Sequence, residues 1–523
     1  MDGWLAGFAS AEELDRFRSQ GGVEQWRWDK PVFAIVDYAA SRAEQLRTWL
    51  SELVDASLEN RPKLRLLLLE RQANRALGWF TTIFGIGDDD VSLAATGLLD
   101  PPEPVELTQL DELEFRRTIF TTLLTKGNTA LAAPAHGADP EFDRLLGDRK
   151  WAGDPLYLMM AGLTAAKSGA REALSLSRAD LALSAARKEL DRIGKIGAGR
   201  GIDERHGHPG AFVRHMAVMA TLAQGLELAA ARTLAKSERE ALGSAASLDA
   251  TIAALADALP ESGANGGVAP ILPDIIGEGA VLAWFGPKGG LTASGLDPHE
   301  SIAAAARVAL AKVSASLVRT AQDFAPSGRI EPVKWLEALS GAPETDIGAL
   351  MEIANALPDQ TLALRELAVR LHGRIAAALR DAAAERPDAF LPNLATSLNH
   401  LGNRLSELGR REDALAAAEE ATAIYRRLAA ERPDAFLPDV AMSLNNLGGS
   451  LSELGRREDA LAATREAVTL LAPFFLKIPA AYVEWMSILY NNYLERSEQA
   501  GVELDAMLLT PIFDAFQKLP GPA

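Results

Sequence analysis

One acidic residue, Asp37, stands where its carboxylate could hold a metal ion. It follows the apolar run Val32 to Val36 in "PVFAIVD", which predicts a short strand ending at this aspartate. A carboxylate at the end of a strand can hold magnesium directly or through water. An aspartate in this place can also cap the following helix, because its side chain accepts hydrogen bonds from free N–H groups. The residue types alone allow both roles.

Histidines and aspartates elsewhere have suitable types for metal binding but not the spacing. His206 and His208 lie in a Gly/Pro-containing loop, His215 follows in "FVRHM", and the chain has no cysteine. This spacing matches no closed tetrahedral zinc site, so we expect a solvated loop. Asp88 to Asp90 lack the alternating ligands and distal glutamate of a calcium loop, which leaves helix capping or solvation. No local pattern signals a serine, histidine and aspartate triad.

The composition limits the possible partners. The 523 residues suffice for three or four domains. With 53 basic and 71 acidic residues the net charge is -18, so a phosphate backbone is repelled on average and no nucleic-acid partner is expected. The absence of cysteine fits a reducing compartment. The N-terminus lacks a secretory pattern and no apolar stretch approaches the roughly 20 residues of a membrane span. We therefore expect a cytoplasmic protein without a membrane partner.

The elements that would position Asp37 form a strand-helix-strand unit. The apolar runs "PVFAIVD" and "KLRLLLLER" are separated by the helix-like "SRAEQLRTWLSELVDASLEN". Strands that are apolar on both faces are typical of a parallel sheet covered on both sides. A third short strand is predicted at Val105 to Leu107. Alanine, leucine and charged residues then dominate, so the fold is predicted to be mainly α.

The strongest pattern is an internal repeat of 46 residues near the C-terminus. "ERPDAFLPNLATSLNHLG" from Glu385 returns as "ERPDAFLPDVAMSLNNLG" from Glu431. In each copy three leucines share one helix face with a glycine, which is Gly402 in the first copy and Gly448 in the second. A glycine inside a helix costs on the order of 1 kcal/mol relative to alanine. Its recurrence predicts that another helix packs too closely for a side chain.

This repeat resembles the tetratricopeptide repeat. The family's signature positions are occupied by Leu398, Leu401, Gly402, Leu405, Ala414, Ala418 and Ala421. The usual unit has 34 residues, so the longer period here predicts longer paired helices. A shift of 46 residues predicts an earlier degenerate copy whose second helix is "RELAVRLHGRIAAALRDAAA". The opposite shift predicts a closing copy in which Trp485, Ile488 and Leu489 cover the last apolar face.

The resemblance implies a concave surface lined by the first helix of each repeat. Its predicted lining residues are Asn399, Asn403, Ser406 and Glu407 in the first copy and Asn445, Ser452 and Glu453 in the second. Side-chain amides at such positions can hold an extended peptide, although polar residues also occur on any solvated helix face. We expect a protein or peptide partner.

The earlier part of the chain resembles a STAND ATPase, a signal-transducing NTPase with helical repeats. The resemblance rests on "PVFAIVDYAASR", "LRLLLLERQANRALGWF", "WAGDPLYLMMAGL" at 151–163 and "ILPDIIGEGAVLAWF" at 271–285, which follow the family order. It implies that Asp37 is the Walker B aspartate on magnesium, that Arg71 senses the γ-phosphate and that Pro155 contacts the adenine or closes the pocket. Ala40 stands where the family commonly has an acidic residue.

The phosphate-binding motif of this class is missing from the chain. No G-x-x-x-x-G-K-[ST] occurs, and a lone aspartate and arginine cannot replace the cradle of main-chain N–H groups and the lysine. Asp37, Arg71 and Pro155 are therefore vestigial nucleotide-site candidates. We expect no ATP hydrolysis and no cofactor, with ATP and magnesium bound only if a P-loop is supplied by an upstream segment or another chain.

A missing P-loop strand would leave one edge of the sheet unpaired. Such an edge invites pairing with another chain or with a copy of the same chain. Three expectations are open. A partner chain covers this edge, or the N-terminal helix "SAEELDRFRSQ" covers it, or the chain is a gene remnant or has a misplaced start.

The patterns divide the chain into five regions. These are a partial STAND NTPase α/β core at 1–130, a helical segment with the Gly-x-Pro motif at 131–175, a winged-helix-like region at 176–290, a helical linker region at 291–360, and TPR-like repeats with capping helices at 361–523. The function expected is a non-catalytic signalling or scaffold module that binds a protein through its repeat groove. The alternative is part of an ATP-dependent STAND switch whose P-loop is supplied elsewhere.

Overall fold

The computed structural model describes most of the chain after residue 111 and a smaller part before it. The described residues are 5–8, 30–37, 43, 46–50, 62–69, 83–84, 112–127, 131–148, 150–200, 210–260, 267–287, 289–291, 297–342, 345–358 and 361–518. The chain divides into two compact units, residues 1–108 with 429–523, and residues 109–428. The predicted strand at Val105 to Leu107 and the predicted N-terminal helix lie outside the described residues. The five predicted regions remain a prediction.

A three-stranded parallel sheet lies near the N-terminus, with β1 (Leu5–Phe8), β2 (Val32–Asp37) and β3 (Leu64–Leu69) in that order. Residue Val32 of the central strand is opposite Leu5 on one side and Leu64 on the other. The two strands predicted from the apolar runs are confirmed, as is their parallel pairing. Strand β1 was not predicted, because the short "LAGF" has two small residues and little β-propensity of its own.

Burial in this sheet is incomplete. Among the described side chains of its strands, Val36 alone is buried, and Leu67 is 40% exposed. Residues 46–50 are helical, with Leu46 and Trp49 buried, as expected for a helix connecting two parallel strands. The prediction that both strand faces are covered is therefore wrong at Leu67.

Most of the rest of the described chain is helical, which confirms the mainly α fold. The helices are α1 (Leu113–Gly127), α2 (Pro140–Asp148), α3 (Pro155–Ser168), α4 (Ala170–Ser175), α5 (Arg178–Gly199), α6 (Ala211–Leu222), α7 (Leu228–Ala241), α8 (Leu248–Ala258), α9 (Asp274–Phe285), α10 (Pro298–Phe324), α11 (Glu331–Gly341), α12 (Ile347–Asn355), α13 (Arg365–Glu385), α14 (Pro387–Glu407), α15 (Arg411–Glu431), α16 (Pro433–Glu453), α17 (Arg457–Lys477), α18 (Pro479–Ala500) and α19 (Ala506–Lys518). A two-residue pair, β4 (Leu226–Glu227) and β5 (Gly267–Val268), is antiparallel.

Several helices in residues 109–428 begin at capping residues that the sequence provides. Asp154 accepts a hydrogen bond from the N–H of Leu156 at the start of α3, where Pro155 occupies the first turn. Ser177 caps α5 and Asp297 caps α10 in the same manner. A side-chain acceptor at this position satisfies an N–H group that has no partner inside the helix, so each cap fixes where its helix begins.

Helix α10 is long and apolar enough to pass a length-and-composition test for a membrane span, over Pro298–Ser327. Scattered charges interrupt the apolar residues of this helix, so the sequence did not predict such a stretch. Its most apolar 18-residue window is 56% buried inside the protein, and Val313, Leu317 and Phe324 lie in the core. A helix in the core of a protein is buried in this way and passes the same length-and-composition test. The helix is also kinked at Ala309, whose φ of -153° and ψ of 67° are not helical.

The 46-residue period appears in the structure as helices of equal length. Helices α13 to α17 have 21 residues each. Every second helix starts 46 residues after the last, so α13, α15 and α17 form one series and α14 and α16 the other. Pro387, Pro433 and Pro479 each lie in the first turn of a helix, where proline costs no hydrogen bond. Gly409 and Gly455 have φ of 73° and 76° in the turns within each repeat, a backbone conformation that suits glycine.

The predicted repeat packing is confirmed in most positions. Leu398, Leu405, Leu444 and Leu451 are at most 5% exposed, whereas Leu401 is only half-buried. The predicted flanking helices also exist, as α13 before the repeats and α18 after them. In α18, Leu489 is buried as predicted and Trp485 is half-buried. The prediction for Ile488 is wrong, since this side chain is 40% exposed and Met486 is buried instead.

Candidate functional site

The predicted groove residues of the first copy lie on α14 and differ in exposure. Asn403 and Glu407 are exposed, and Asn399 and Ser406 are half-buried. Glu407 forms an ion pair with Arg404, with Oε1 3.2 Å from Nη1, and Arg404 donates a hydrogen bond of 3.0 Å from Nη2 to the carbonyl of Pro358. Arg404 is therefore held as part of the packing, while the amide of Asn403 is available to a partner.

A histidine pair lies beside these residues. The rings of His372 on α13 and His400 on α14 stack with centroids 5.5 Å apart and planes at 20°. His372 is 8% exposed, and its Nδ1 has no hydrogen-bond partner among the described residues. Burial, followed by the positive charges of His400 and Arg404, lowers the pKa of His372 from 6.5 to about 4. His372 is therefore neutral near pH 7.

The second copy is different, because its corresponding residues contact α18. Asn445 is 8% exposed, and its Oδ1 accepts a hydrogen bond of 2.8 Å from Nδ2 of Asn492. Arg496 donates from Nη2 to the carbonyl of Asn445 at 3.4 Å and contacts Thr464 Oγ1 through Nη1. The structure thus places Asn445 inside the packing of the last helices, because the following first helix covers it. It is not a free groove side chain.

Ser452 and Glu453 lie one turn further along α16. Ser452 is half-buried and donates a hydrogen bond of 3.3 Å from its hydroxyl to Oε1 of Gln499 on α18, whereas Glu453 is exposed. Burial also raises the pKa of Asp439 on the same helix, because it removes water from the carboxylate. On α16, both Asn445 and Ser452 are therefore hydrogen-bonded to α18.

Gly448 provides the space that this arrangement needs. A Cβ atom at Gly448 would lie 2.5 Å from Nη1 of Arg496, 2.8 Å from Oγ1 of Thr464 and 3.1 Å from the carbonyl oxygen of Ala460. At Gly402 the nearest atom, the carbonyl oxygen of Ala414, would be 3.4 Å away. The predicted close approach of another helix therefore leaves no room for a side chain at Gly448, whereas a Cβ atom at Gly402 would just fit.

The structure gives less support to the nucleotide-site candidates than to the groove residues. Asp37 is the last residue of β2, at the carboxyl end of the central strand, as predicted from the apolar run. Arg71 lies outside the described residues. Pro155 is an exposed residue in the first turn of α3, and its neighbour Asp154 caps that helix. The described residues include no glycine-rich strand-to-helix loop with a lysine, so they do not form a cradle for a triphosphate.

The other metal and catalytic candidates have separate outcomes. His206, His208 and Asp88 to Asp90 lie outside the described residues. Within the described part of the chain, no group of three or more histidine, aspartate or glutamate residues could hold a metal ion. His215 is fully buried in α6.

A buried polar network around His215 was not foreseen. Its Nε2 is 2.8 Å from Oε2 of Glu238 on α7, and its Nδ1 accepts a hydrogen bond of 3.1 Å from Nε1 of Trp284 on α9. Ser301 on α10 donates to the same oxygen of Glu238 at 2.8 Å. This network joins four helices. The only sequence signal is a histidine and a glutamate at apolar helix positions, which does not reveal a partner.

Comparison with known proteins supports the repeat assignment. Residues 394–433 and 440–471 match the family model of the tetratricopeptide repeat. These tetratricopeptide segments cover the C-terminal part of α14, α15, and most of α16 and α17. No curated protein matches the chain.

Solved structures give weak similarities. A MamA RS-1 ArsTM double mutant and MamA 41-end from Desulfovibrio magneticus RS-1 are each 18% identical, cover 39% of this chain and 95% and 96% of their own, and have TM-scores of 0.20 and 0.19. A STAND protein with a tetratricopeptide repeat sensor from Pyrococcus horikoshii is 11% identical, with 97% of this chain and 82% of that chain covered and a TM-score of 0.23. At these TM-scores the superpositions carry no argument about function.

Proposed function

We propose that this chain is a non-catalytic scaffold or signalling module that binds a protein or peptide through the α14 side of its tetratricopeptide segments. The observation that carries the proposal is the exposed amide of Asn403, with half-buried Asn399 one turn before it, on the first helix of a matched repeat. An extended peptide can pair with such amides, which donate and accept hydrogen bonds at once.

We further infer that the chain derives from a STAND-type protein and carries a winged-helix-like region before its repeats. The order α6, β4, α7, α8 and β5 supports the second inference, with Pro260 also bridged to Val268. The net charge of -18 favours protein packing over DNA binding for this region.

Affinity capture with the full chain tests the groove. A variant with Asn399→Ala and Asn403→Ala should bind its recovered partner about tenfold more weakly or worse, since each lost hydrogen bond is worth about 0.5–1.5 kcal/mol. The matched control carries Glu412→Ala and Glu419→Ala, two exposed changes on α15. Equal affinity of the groove variant and the control for every specific partner would contradict the proposal.

Nucleotide binding separates this function from an ATP-dependent switch. A chain that holds Mg-ATP at Asp37 would gain thermal stability with increasing nucleotide, because a ligand that binds only the folded state stabilises it. The scaffold module should show no such gain. A stabilisation that disappears in Asp37→Ala would favour the switch.

A further inference from the structure

Three junctions between successive helix pairs of the repeats share one backbone conformation. They are formed by Arg386 between α13 and α14, Arg432 between α15 and α16, and Ile478 between α17 and α18. Their φ angles are -135°, -137° and -138°, and their ψ angles are 76°, 74° and 74°. Because the backbone is the same at all three, the junctions differ through their side chains.

The first two junctions present charged groups to water. Both have the sequence "AERPDAF", and the glutamate, arginine and aspartate of this segment are exposed in both copies. The arginine lies over the ring of the phenylalanine four residues later. Its Cζ is 5.0 Å from the ring centroid for Arg386 and Phe390, and 4.8 Å for Arg432 and Phe436. This cation–π contact covers the aromatic face within the junction itself.

The third junction is apolar instead, with the sequence "LKIPAAY" at 476–482. Leucine replaces an exposed alanine, isoleucine replaces the arginine, and alanine replaces the aspartate. Leu476 is 44% exposed and Ile478 is 52% exposed. The packing inside the repeat does not require these two side chains, because alanine and arginine occupy the same positions in the other copies. They therefore form an apolar surface that faces outward.

This apolar surface continues along α18. Ala481, Trp485 and Ile488 are spaced four and three residues apart, so they share one face of the helix. Ala481 is exposed, Trp485 is half-buried and Ile488 is 40% exposed. Together with Leu476 and Ile478 they make up what we call the third-junction patch. A contiguous exposed apolar surface of this kind marks an interaction site.

The charges beside the third-junction patch indicate what covers it. Lys477 lies at one end and Glu484 at the other, and both side chains are exposed. Neither makes an ion pair or a hydrogen bond with another residue in the described part of the chain. The small, exposed residues Ala480 and Ala481 lie between them. A surface with an unpaired cation at one end and an unpaired anion at the other is complementary to a copy of itself.

We propose that two copies of this chain associate through the third-junction patch about a two-fold axis near Ala481. The axis places Lys477 of each copy opposite the partner's Glu484, and the apolar side chains of both copies are buried between these two ion pairs. The patch consists of a few side chains, fewer than the roughly 20–30 residues that each partner contributes to a stable interface. The dimer is therefore weak and depends on concentration. It is separate from the groove on α14.

Sedimentation equilibrium of the full chain tests the association. The mass of the wild type should rise with concentration from that of a monomer toward twice that value. The double variant Leu476→Ala with Ile478→Arg restores the residues of the first two junctions and should weaken association about tenfold or more, since each copy loses two apolar side chains. The control Leu362→Ala removes a leucine that is 85% exposed elsewhere and should associate like the wild type. Equal association of the double variant and the wild type would overturn the proposal.

Exchange of the two charges tests the two-fold geometry. Lys477→Glu and Glu484→Lys should each weaken association, because two contacts between like charges replace the two ion pairs. An equimolar mixture of these two single variants should recover it, since both contacts in the mixed dimer again join opposite charges. Circular dichroism confirms that each variant is folded. A wild type that stays monomeric at every concentration, or a mixture that associates no better than either variant alone, would overturn the proposal.

Discussion

Nε2 of His215 lies 2.8 Å from Oε2 of Glu238 in the interior of residues 109–428, where the two side chains are 1% and 4% exposed. Trp284 donates to Nδ1 of the same imidazole, so the proton of the ring is on Nε2 and is donated to Glu238. A satisfied buried carboxylate of this kind fixes the relative positions of α6, α7, α9 and α10.

The first prediction concerns acid sensitivity at Glu238. Burial by itself raises the pKa of Glu238. The hydrogen bonds from His215 and Ser301 and the charge of Arg307 lower it, and the pKa lies below its usual value. The ionised form therefore stabilises the fold above about pH 4.5, and this contribution is lost as the pH falls through the folded pKa. Glu238→Gln should destabilise the chain by about 1–3 kcal/mol at pH 7, measured by urea unfolding.

The difference between Glu238→Gln and the wild type should shrink below pH 4.5. Asp249→Asn is the control, because the Asp249 and Arg232 pair is exposed and worth at most about 1 kcal/mol. A deficit of Glu238→Gln that is constant from pH 7 down to pH 3 would show that the charge of Glu238 does not contribute.

The second prediction compares the two repeat glycines. Gly448→Ala should destabilise the chain by about 1–3 kcal/mol, because the new methyl group meets Thr464 and the carbonyl of Ala460 as well as the mobile end of Arg496. Gly402→Ala should be neutral or stabilise by up to about 1 kcal/mol, since its nearest neighbour is 3.4 Å away and alanine favours the helix. Thermal unfolding followed by circular dichroism measures both. The reverse order would contradict the packing described for α16.

The third prediction concerns His372. Because its pKa is about 4 when folded and 6.5 in its ordinary state, unfolding takes up a proton between these values. Stability should therefore decrease as the pH falls from about 6.5 and level off near 4, by about 3 kcal/mol in total. His372→Leu should remove this loss, which urea unfolding at pH 7 and pH 5 detects.

His400→Gln separates burial from the charge of His400 as causes of this shift. Burial is the largest cause, so this variant should keep most of the acid sensitivity even though it removes the neighbouring charge. If His372→Leu and the wild type lose stability equally between pH 7 and pH 5, His372 is not the group responsible.

Much of the repeat region could be predicted because it depends on local spacing. The 46-residue period predicted helices at residues 365–384 and 483–500, outside the two evident copies, and α13 and α18 contain these segments. The glycine in the repeat predicted a close approach, which Gly448 shows. Periodicity, proline and glycine act within one or two turns of a helix, so the sequence records them directly.

The orientation of Asn445 could not be predicted in the same way. Asn399 and Asn445 occupy equivalent positions in the repeat, yet Asn445 is buried against Asn492 and Asn399 is only half-buried. What lies opposite a repeat position depends on the next helix in space. Two identical sequence positions can therefore differ in exposure.

The amino-acid sequence by itself determined the mainly α character, the parallel pairing of the strands at residues 32–37 and 64–69, and the positions of the repeat helices, because these follow from patterns over a few residues. The tertiary structure alone decided that His215 meets Glu238 and that Asn445 is covered by Asn492. Each of these contacts joins residues more than 20 positions apart, and such pairs form only when separate helices pack together.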